Sequence, residues 1–169
     1  MEKSRTRQLT RAAVAGGLYA ALSLLGSVFG ISYGPIQCRF AEALCILPFL
    51  FPETAWGLGV GCLLANVLSP YGLLDIVIGS LTTLSAALLT RKCKSKYLAP
   101  LPPVILNGVV VGGLLAFEQV GLTAAFGKAF WFNGCSVLVG EAIACYGLGL
   151  LLLRALEKAN FLKKIGKMP

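Results

Sequence analysis

The chain of 169 residues contains no histidine and only seven acidic residues. Without imidazole, the usual mixed zinc sites and the Ser-His or Cys-His nucleophile pairs cannot be assembled. Six cysteines are present (Cys38, Cys45, Cys62, Cys93, Cys135 and Cys145), none in a Cys-x-x-Cys pair. A metal site therefore has no support, and cysteines in or beside apolar segments read as small hydrophobes. No Walker A sequence occurs, so the chain cannot itself couple ATP to work. No internal repeat marks it as a two-halved secondary transporter. No serine or cysteine sits in a recognisable nucleophile elbow, which argues against an integral membrane hydrolase. Neither a cofactor nor a metal is expected. Charge as a whole is scarce, at 13% of residues, against about 25% in soluble domains.

Apolar residues fill the chain instead: 57% of residues are hydrophobic and the mean hydropathy is +0.80. One small core cannot hide that much apolar surface, so the excess must face lipid. The net charge is +8. A basic balance can signal nucleic acid, but here the cations fall in short blocks, Lys3 to Arg11, Arg91 to Lys96 and Arg154 to Lys167, separated by long apolar stretches. Polytopic membrane proteins mark their cytoplasmic loops in this way, and the anionic inner leaflet favours such clusters. No nucleic-acid partner is expected.

A bilayer core of about 30 Å takes about 20 helical residues, fewer where the membrane thins. Six helices are predicted, near Ala12–Phe29, Ile36–Phe51, Thr54–Leu68, Leu73–Thr90, Pro103–Gln119 and Phe130–Leu153. The first apolar run resembles a signal peptide, but five more come after it, so it reads as a membrane helix. Tyr33-Gly34-Pro35, Pro52, Ser69-Pro70-Tyr71-Gly72 and the prolines at 100, 102 and 103 supply the breaks. Pro48, inside the second helix, predicts a kink. An even helix count puts both termini on one side. Every cation but Arg39 and Lys128 lies on that side, which is therefore cytoplasmic. The expectation is an all-α integral membrane protein. It forms a compact six-helix bundle in a single domain, 1–169, with a basic cytoplasmic N-terminus (1–11) and a basic cytoplasmic tail (154–169).

Charges inside a bilayer cost at least about 2.5–3.5 kcal/mol on insertion scales, so each is a functional candidate. With these helix directions, Gln37, Arg39, Glu42, Asn66, Asp75, Glu118 and Gln119 lie in the outer half, and Glu141 near mid-membrane. Asn107 is expected nearer the inner half. A shared depth across five helices suggests one polar cavity opening outward, because isolated lipid-facing groups would each carry a full desolvation penalty. Acids there favour a ligand with positive charge or several N–H donors, and Asn and Gln read amide-like edges. Simpler readings stand beside these. Arg39 and Glu42, spaced i, i+3, can neutralise each other. Asp75 can be a first-turn acid, and Asn66 and Asn107 can be interhelical bonds. Glu118 and Lys128 read as solvated interface residues, as do most edge aromatics. Glu141, within VLVGEAIAC, has no such alternative.

On the first helix, Ala12, Gly16 and Ala20 recur every four residues, as do Ala13, Gly17 and Ala21. Small residues at this spacing allow close helix approach. Spacing does not decide between packing inside the protein and docking of a partner.

The stretch GPIQCRFAEALCILPFLFPETAWGLGVGCLLANVLSPYGLLDIVIGSL (Gly34 to Leu81), with the later LNGVVVG and VGEAIACYG, resembles the QueT family, substrate-specific S components of energy-coupling factor (ECF) transporters. The likeness covers nearly the whole chain. It rests on the R-x-x-E-A-L run from Arg39, the Ala65-Asn66 to Ser69-Pro70 stretch, and Asp75. It implies a six-helix binding subunit without an ATPase, one that captures 7-aminomethyl-7-deazaguanine or queuine. It also implies association with a transmembrane coupling subunit and, through it, two ABC ATPases. The small-residue stripe is similar to the A-x-x-x-A face that S components present to that subunit, with Gly16 or Gly17 in the middle position. Two carboxylates among Glu42, Asp75 and Glu141 would then serve the base edge and the aminomethyl cation. Gln37, Asn66 and Asn107 would bond the remaining polar atoms, and Phe40, Tyr33, Tyr71 or Trp131 would stack on the ring. The alternatives are an S component for another flat nitrogenous vitamin, or a structural or regulatory membrane protein.

Overall fold

The computed structural model describes residues 2–29, 39–67, 69 and 72–159. All regular structure among the described residues is helical, in six stretches: α1 (Glu2–Val28), α2 (Phe40–Phe49), α3 (Thr54–Asn66), α4 (Gly72–Thr90), α5 (Leu101–Val120) and α6 (Phe126–Lys158). By length and composition α1, α4, α5 and α6 can each cross a membrane; α2 and α3, with 10 and 13 residues, are shorter.

Helix α1 starts ten residues before the expected Ala12, because Glu, Lys, Arg and Gln at positions 2–11 are good helix formers. Arg11 then fastens that turn, bonding Glu53 at 3.1 Å while its guanidinium lies 5.0 Å over the Phe51 ring. Helix α6 likewise overruns its apolar core at both ends.

Helix α2 is wound as a 3₁₀ helix throughout, with Pro48 inside it. Proline lacks the N–H of an α-turn, and a tighter winding replaces the expected single kink. At about 2.0 Å per residue, ten residues reach about 20 Å rather than about 15 Å. Ala41 to Ile46 are all buried. The segment runs through the interior, packed by α1, α3, α4 and α6. Its inner faces join a core of Ala15, Tyr19, Leu44, Leu58 and Ala87.

Two helix pairs approach backbone to backbone. An added Cβ on Gly57 of α3 would lie 1.8 Å from the Ala12 carbonyl oxygen, and one on Gly61 would lie 2.3 Å from that of Gly16. On the other side, Gly112 of α5 meets Gly134 of α6, where a Cβ would come within 2.5 Å of the Gly134 Cα. The outward faces carry exposed apolar side chains such as Leu25, Val60, Leu81, Val109 and Ile143.

The described parts of the basic blocks gather at one end. Thr6, Arg7 and Arg11 of α1 share a cavity of about 490 Å³ with Phe51 of the α2–α3 turn and Leu152 and Leu156 of α6. Lys96 of the α4–α5 loop bonds Glu157 of α6 at 3.3 Å.

Candidate ligand site

Three of the long helices loosen into π-turns: Asp75–Gly79 in α4, Asn107–Val111 in α5 and Ile143–Gly149 in α6. Such turns often mark functional positions. The first two open on Asp75 and Asn107, and the third begins two residues after Glu141.

Five residues singled out in the sequence are buried together within the bundle: Glu42, Asn66, Asp75, Asn107 and Glu141. Glu42 accepts hydrogen bonds from the Tyr19 hydroxyl on α1 and from Cys45 Sγ at 2.9 Å, rather than pairing with Arg39 as an i, i+3 neighbour. Cys145 Sγ on α6 reaches the Glu42 backbone oxygen at 3.4 Å and Glu141 Oε2 at 3.7 Å, tying α2 to α6. Asn107 Nδ2 donates to Glu141 Oε1 at 3.0 Å. This bond brings Asn107 level with Glu141.

A second group adjoins the first. Asn66 Nδ2 donates to the Asp75 backbone oxygen at 3.0 Å, and Ser69 Oγ to Asp75 Oδ2 at 2.6 Å. Gly79 is required beneath them, since a Cβ there would come within 2.8 Å of Asn66 Nδ2 and 2.9 Å of Asp75 Oδ1. Cys62 joins the groups, accepting from Asn66 and from Thr83 and lying against Tyr19. Arg39, half-buried before α2, acts electrostatically on both Asp75 and Glu42. One polar layer thus draws side chains from all six helices. Within it, Asp75 Oδ1 and Asn107 Oδ1 are buried acceptors with no hydrogen-bond partner among the described residues.

Other expectations resolve separately. Gln37, Tyr33 and Tyr71 lie outside the described residues. Trp131 is 71% exposed. Phe40 is partly exposed. Glu118 and Lys128 are exposed, in line with the interface reading. Of the two small-residue rows, Gly16 is buried against α3 with Ala12 and Ala20 half-buried, whereas Ala13, Gly17 and Ala21 are exposed.

The chain matches the model of the QueT transporter family over residues 9–158. The chain belongs to the QueT transporter family. A curated relative, the queuosine precursor transporter QueT of Lactococcus lactis subsp. cremoris (strain MG1363), is 34% identical over 84 residues. That match covers 50% of this chain and 49% of the relative, so the chain spans about half the length of the relative it matches. No solved structure matches. The QueT family and this relative are transporters rather than enzymes, and with its long apolar helices the chain is a multi-pass protein of the cell membrane.

Sequence reasoning left several members of the polar layer without a role, among them Tyr19, Cys45, Cys62, Thr83 and Cys145. The cysteines read as inert hydrophobes. A signal was present, because each lies one helical turn from a polar candidate: Cys45 three residues after Glu42, Cys145 four after Glu141, and Cys62 four before Asn66. Tyr19 carries no comparable signal, as its partner sits on another helix.

Proposed function

We propose that this QueT family member is the substrate-binding S component of an ECF-type importer for a queuosine precursor, 7-aminomethyl-7-deazaguanine or queuine. On this reading six helices span the membrane, with both termini cytoplasmic and the polar layer open to the outside. The chain would belong to the cell membrane of a bacterium and work among membrane lipids. The observation that carries the reading is the set of buried acids and orphaned acceptors, Asp75 Oδ1 and Asn107 Oδ1 above all. An unpaired buried acceptor costs about 1–3 kcal/mol, and a deazaguanine edge supplies the N–H donors that would relieve it. Glu42 and Glu141 suit the aminomethyl cation, Asp75 and Asn66 the base edge, and Asn107 a ring N–H. Gln37 and Arg39 complete the proposed contacts.

Transport requires energy from elsewhere, and the proposed source is an ECF coupling subunit with its two ABC ATPases. The proposed docking face is the exposed row Ala13, Gly17 and Ala21, with Ala12, Gly16 and Ala20 flanking it on the side that packs on α3. The test is a binding titration of the purified protein with deazaguanines and with common flat vitamins. Tight binding of 7-aminomethyl-7-deazaguanine or queuine alone is expected. Glu141→Gln should weaken it at least tenfold, about 1.4 kcal/mol. Preference for another vitamin, or unchanged affinity in Glu141→Gln, would reject the assignment.

A further inference from the structure

The 490 Å³ cavity at the basic end of the bundle is cationic at one end and apolar along its length. Among the described residues α1 packs on α2 and α3 and makes no comparable contact with α6. A slot is left between α1 and α6, floored by Leu44 and Leu47 of α2. At 3.6 residues per turn, Arg7, Arg11, Val14 and Leu18 share the face of α1 that borders it, opposite Gly16, which packs on α3.

The cavity wall holds two cations, Arg7 and Arg11, and no acid; Glu53 bonds Arg11 from beside it at 3.1 Å. Two hydroxyls in the wall are turned onto the backbone: Thr10 donates to the Thr6 carbonyl at 2.9 Å and Thr54 to that of Phe51 at 2.7 Å. Recognition at this end therefore falls to the guanidinium groups, which hold phosphate oxygens through paired N–H donors. Further along, the slot is bounded by Val14, Leu18, Leu44, Leu47 and Leu152. Val14 and Leu18 are also exposed at its rim, as lipid-facing side chains are.

The dimensions select the occupant. From Thr6 to Leu18 the slot runs about 18 Å, at 1.5 Å for each of twelve residues (12 × 1.5). Its mean cross-section is then about 27 Å² (490/18). A helix 10 Å across would need about 80 Å². An extended peptide would set unpaired backbone groups against an apolar wall in lipid, at a cost of several kcal/mol for each. An acyl chain has neither that width nor any polar group to satisfy.

We propose that this slot binds one anionic phospholipid, with an acyl chain between α1 and α6 and the phosphate on Arg7 and Arg11. On the proposed topology the lipid comes from the cytoplasmic leaflet, whose anionic headgroups attract basic residues. The site is separate from the polar layer and does not depend on what that layer holds. The bound chain gives the Val14–Leu18 face of α1 the neighbour that α6 does not supply.

The test is native mass spectrometry of the full chain in detergent, mixed with dioleoyl phosphatidylglycerol or dioleoyl phosphatidylcholine, which share acyl chains and differ in net charge. One phosphatidylglycerol should be retained per chain, about fivefold more strongly than phosphatidylcholine, the effect of about one cation beside an anionic lipid. Arg7→Gln should remove that preference. Leu156→Trp, which fills the slot, should remove retention of both lipids, with thermal unfolding to show that the variant is folded. If it does not fold, a phosphatidylglycerol carrying a diazirine in its acyl chain reads the same point in the unaltered protein, where it should label residues 14–18 of α1 and 152–156 of α6. Inorganic phosphate should not displace the lipid. Equal retention of the two lipids, a preference untouched by Arg7→Gln, retention unchanged in folded Leu156→Trp, or labelling scattered over the outward faces would overturn the proposal. So would displacement by phosphate, or a dimer that forms only once lipid is stripped away, which would put a second copy in the slot.

Discussion

Replacing Gly57 by alanine tests the packing that holds α1 to α3. The new Cβ would lie 1.8 Å from the Ala12 carbonyl oxygen, whereas real Cβ atoms keep at least 3.0 Å. The helices must therefore part by 1.2 Å (3.0 − 1.8). No flexible side chain can give way, because the obstacle is backbone. The same movement opens the Gly61–Gly16 contact and strains the Tyr19 bond to Glu42 across the shared core. Overpacking of this kind costs about 1–3 kcal/mol, reduced by up to about 1 kcal/mol because alanine is the better helix former. At about 2–4 °C per kcal/mol for a chain of this size, the melting temperature should fall by up to roughly 12 °C. Gly17→Ala is the matched control, one residue from the buried Gly16 on the open side of α1, where an added Cβ meets nothing within 4 Å. It should be neutral, or stabilising by up to about 1 kcal/mol. Thermal unfolding in detergent, followed by tryptophan fluorescence, measures both, with Trp56 adjacent to the altered site. Equal melting temperatures for the two variants would refute the close α1–α3 approach.

Gly79→Ala should separate folding from binding: its methyl would press on Asn66 Nδ2 and Asp75 Oδ1 at 2.8 and 2.9 Å. Deazaguanine affinity is expected to drop at least tenfold, the equivalent of losing one buried hydrogen bond of about 1.4 kcal/mol, and calorimetry reads it directly. In the α4–α5 loop, burial raises the pKa of the Cys93 thiol above its usual value. Less of it is thiolate at neutral pH, so maleimide labelling should be slower than for a free cysteine, and its rate should climb at higher pH. Labelling as fast as free cysteine at neutral pH would contradict that environment. Lys96→Ala removes an exposed ion pair with Glu157 and should change stability by less than about 1 kcal/mol.

Where the chain announces itself through composition, the sequence was readable. Long apolar runs fixed α4 and α5 to within two residues, because desolvation of the backbone leaves a lipid-facing segment no choice but a helix. Termini exposed to water were less readable: α1 reaches back to Glu2 because charged helix formers continue the winding once lipid is left behind. In α2, Pro48 announced a departure from regular α-helix but not its form, since a lost N–H is equally compatible with a local kink and with 3₁₀ winding of the whole segment. In the polar layer, burial of Glu42, Asp75 and Glu141 could be deduced from the cost of placing charge in hydrocarbon. Their partners could not, because which hydroxyl or thiol faces which carboxylate is decided by helix rotation, and hydropathy does not record rotation.

The π-turns show how rotation is set here. One extra residue in a turn rotates the helix before it by about 100° relative to the helix beyond it. Asp75 opens the turn in α4 and Gly79 closes it; Asn107 opens that in α5; Glu141 precedes that in α6. In each case the stretch after the turn packs on neighbouring helices, while the residue at or before it points into the polar layer. An uninterrupted α-helix anchored by the same packing would turn Asp75, Asn107 and Glu141 by that angle, toward neighbours or lipid. The widened turns therefore reconcile two demands on one helix: an apolar face that suits the bundle, and a polar side chain delivered to its interior. Gly79 completes the solution in α4, because the Asn66 amide and the Asp75 carboxylate fill the space that a larger residue would take.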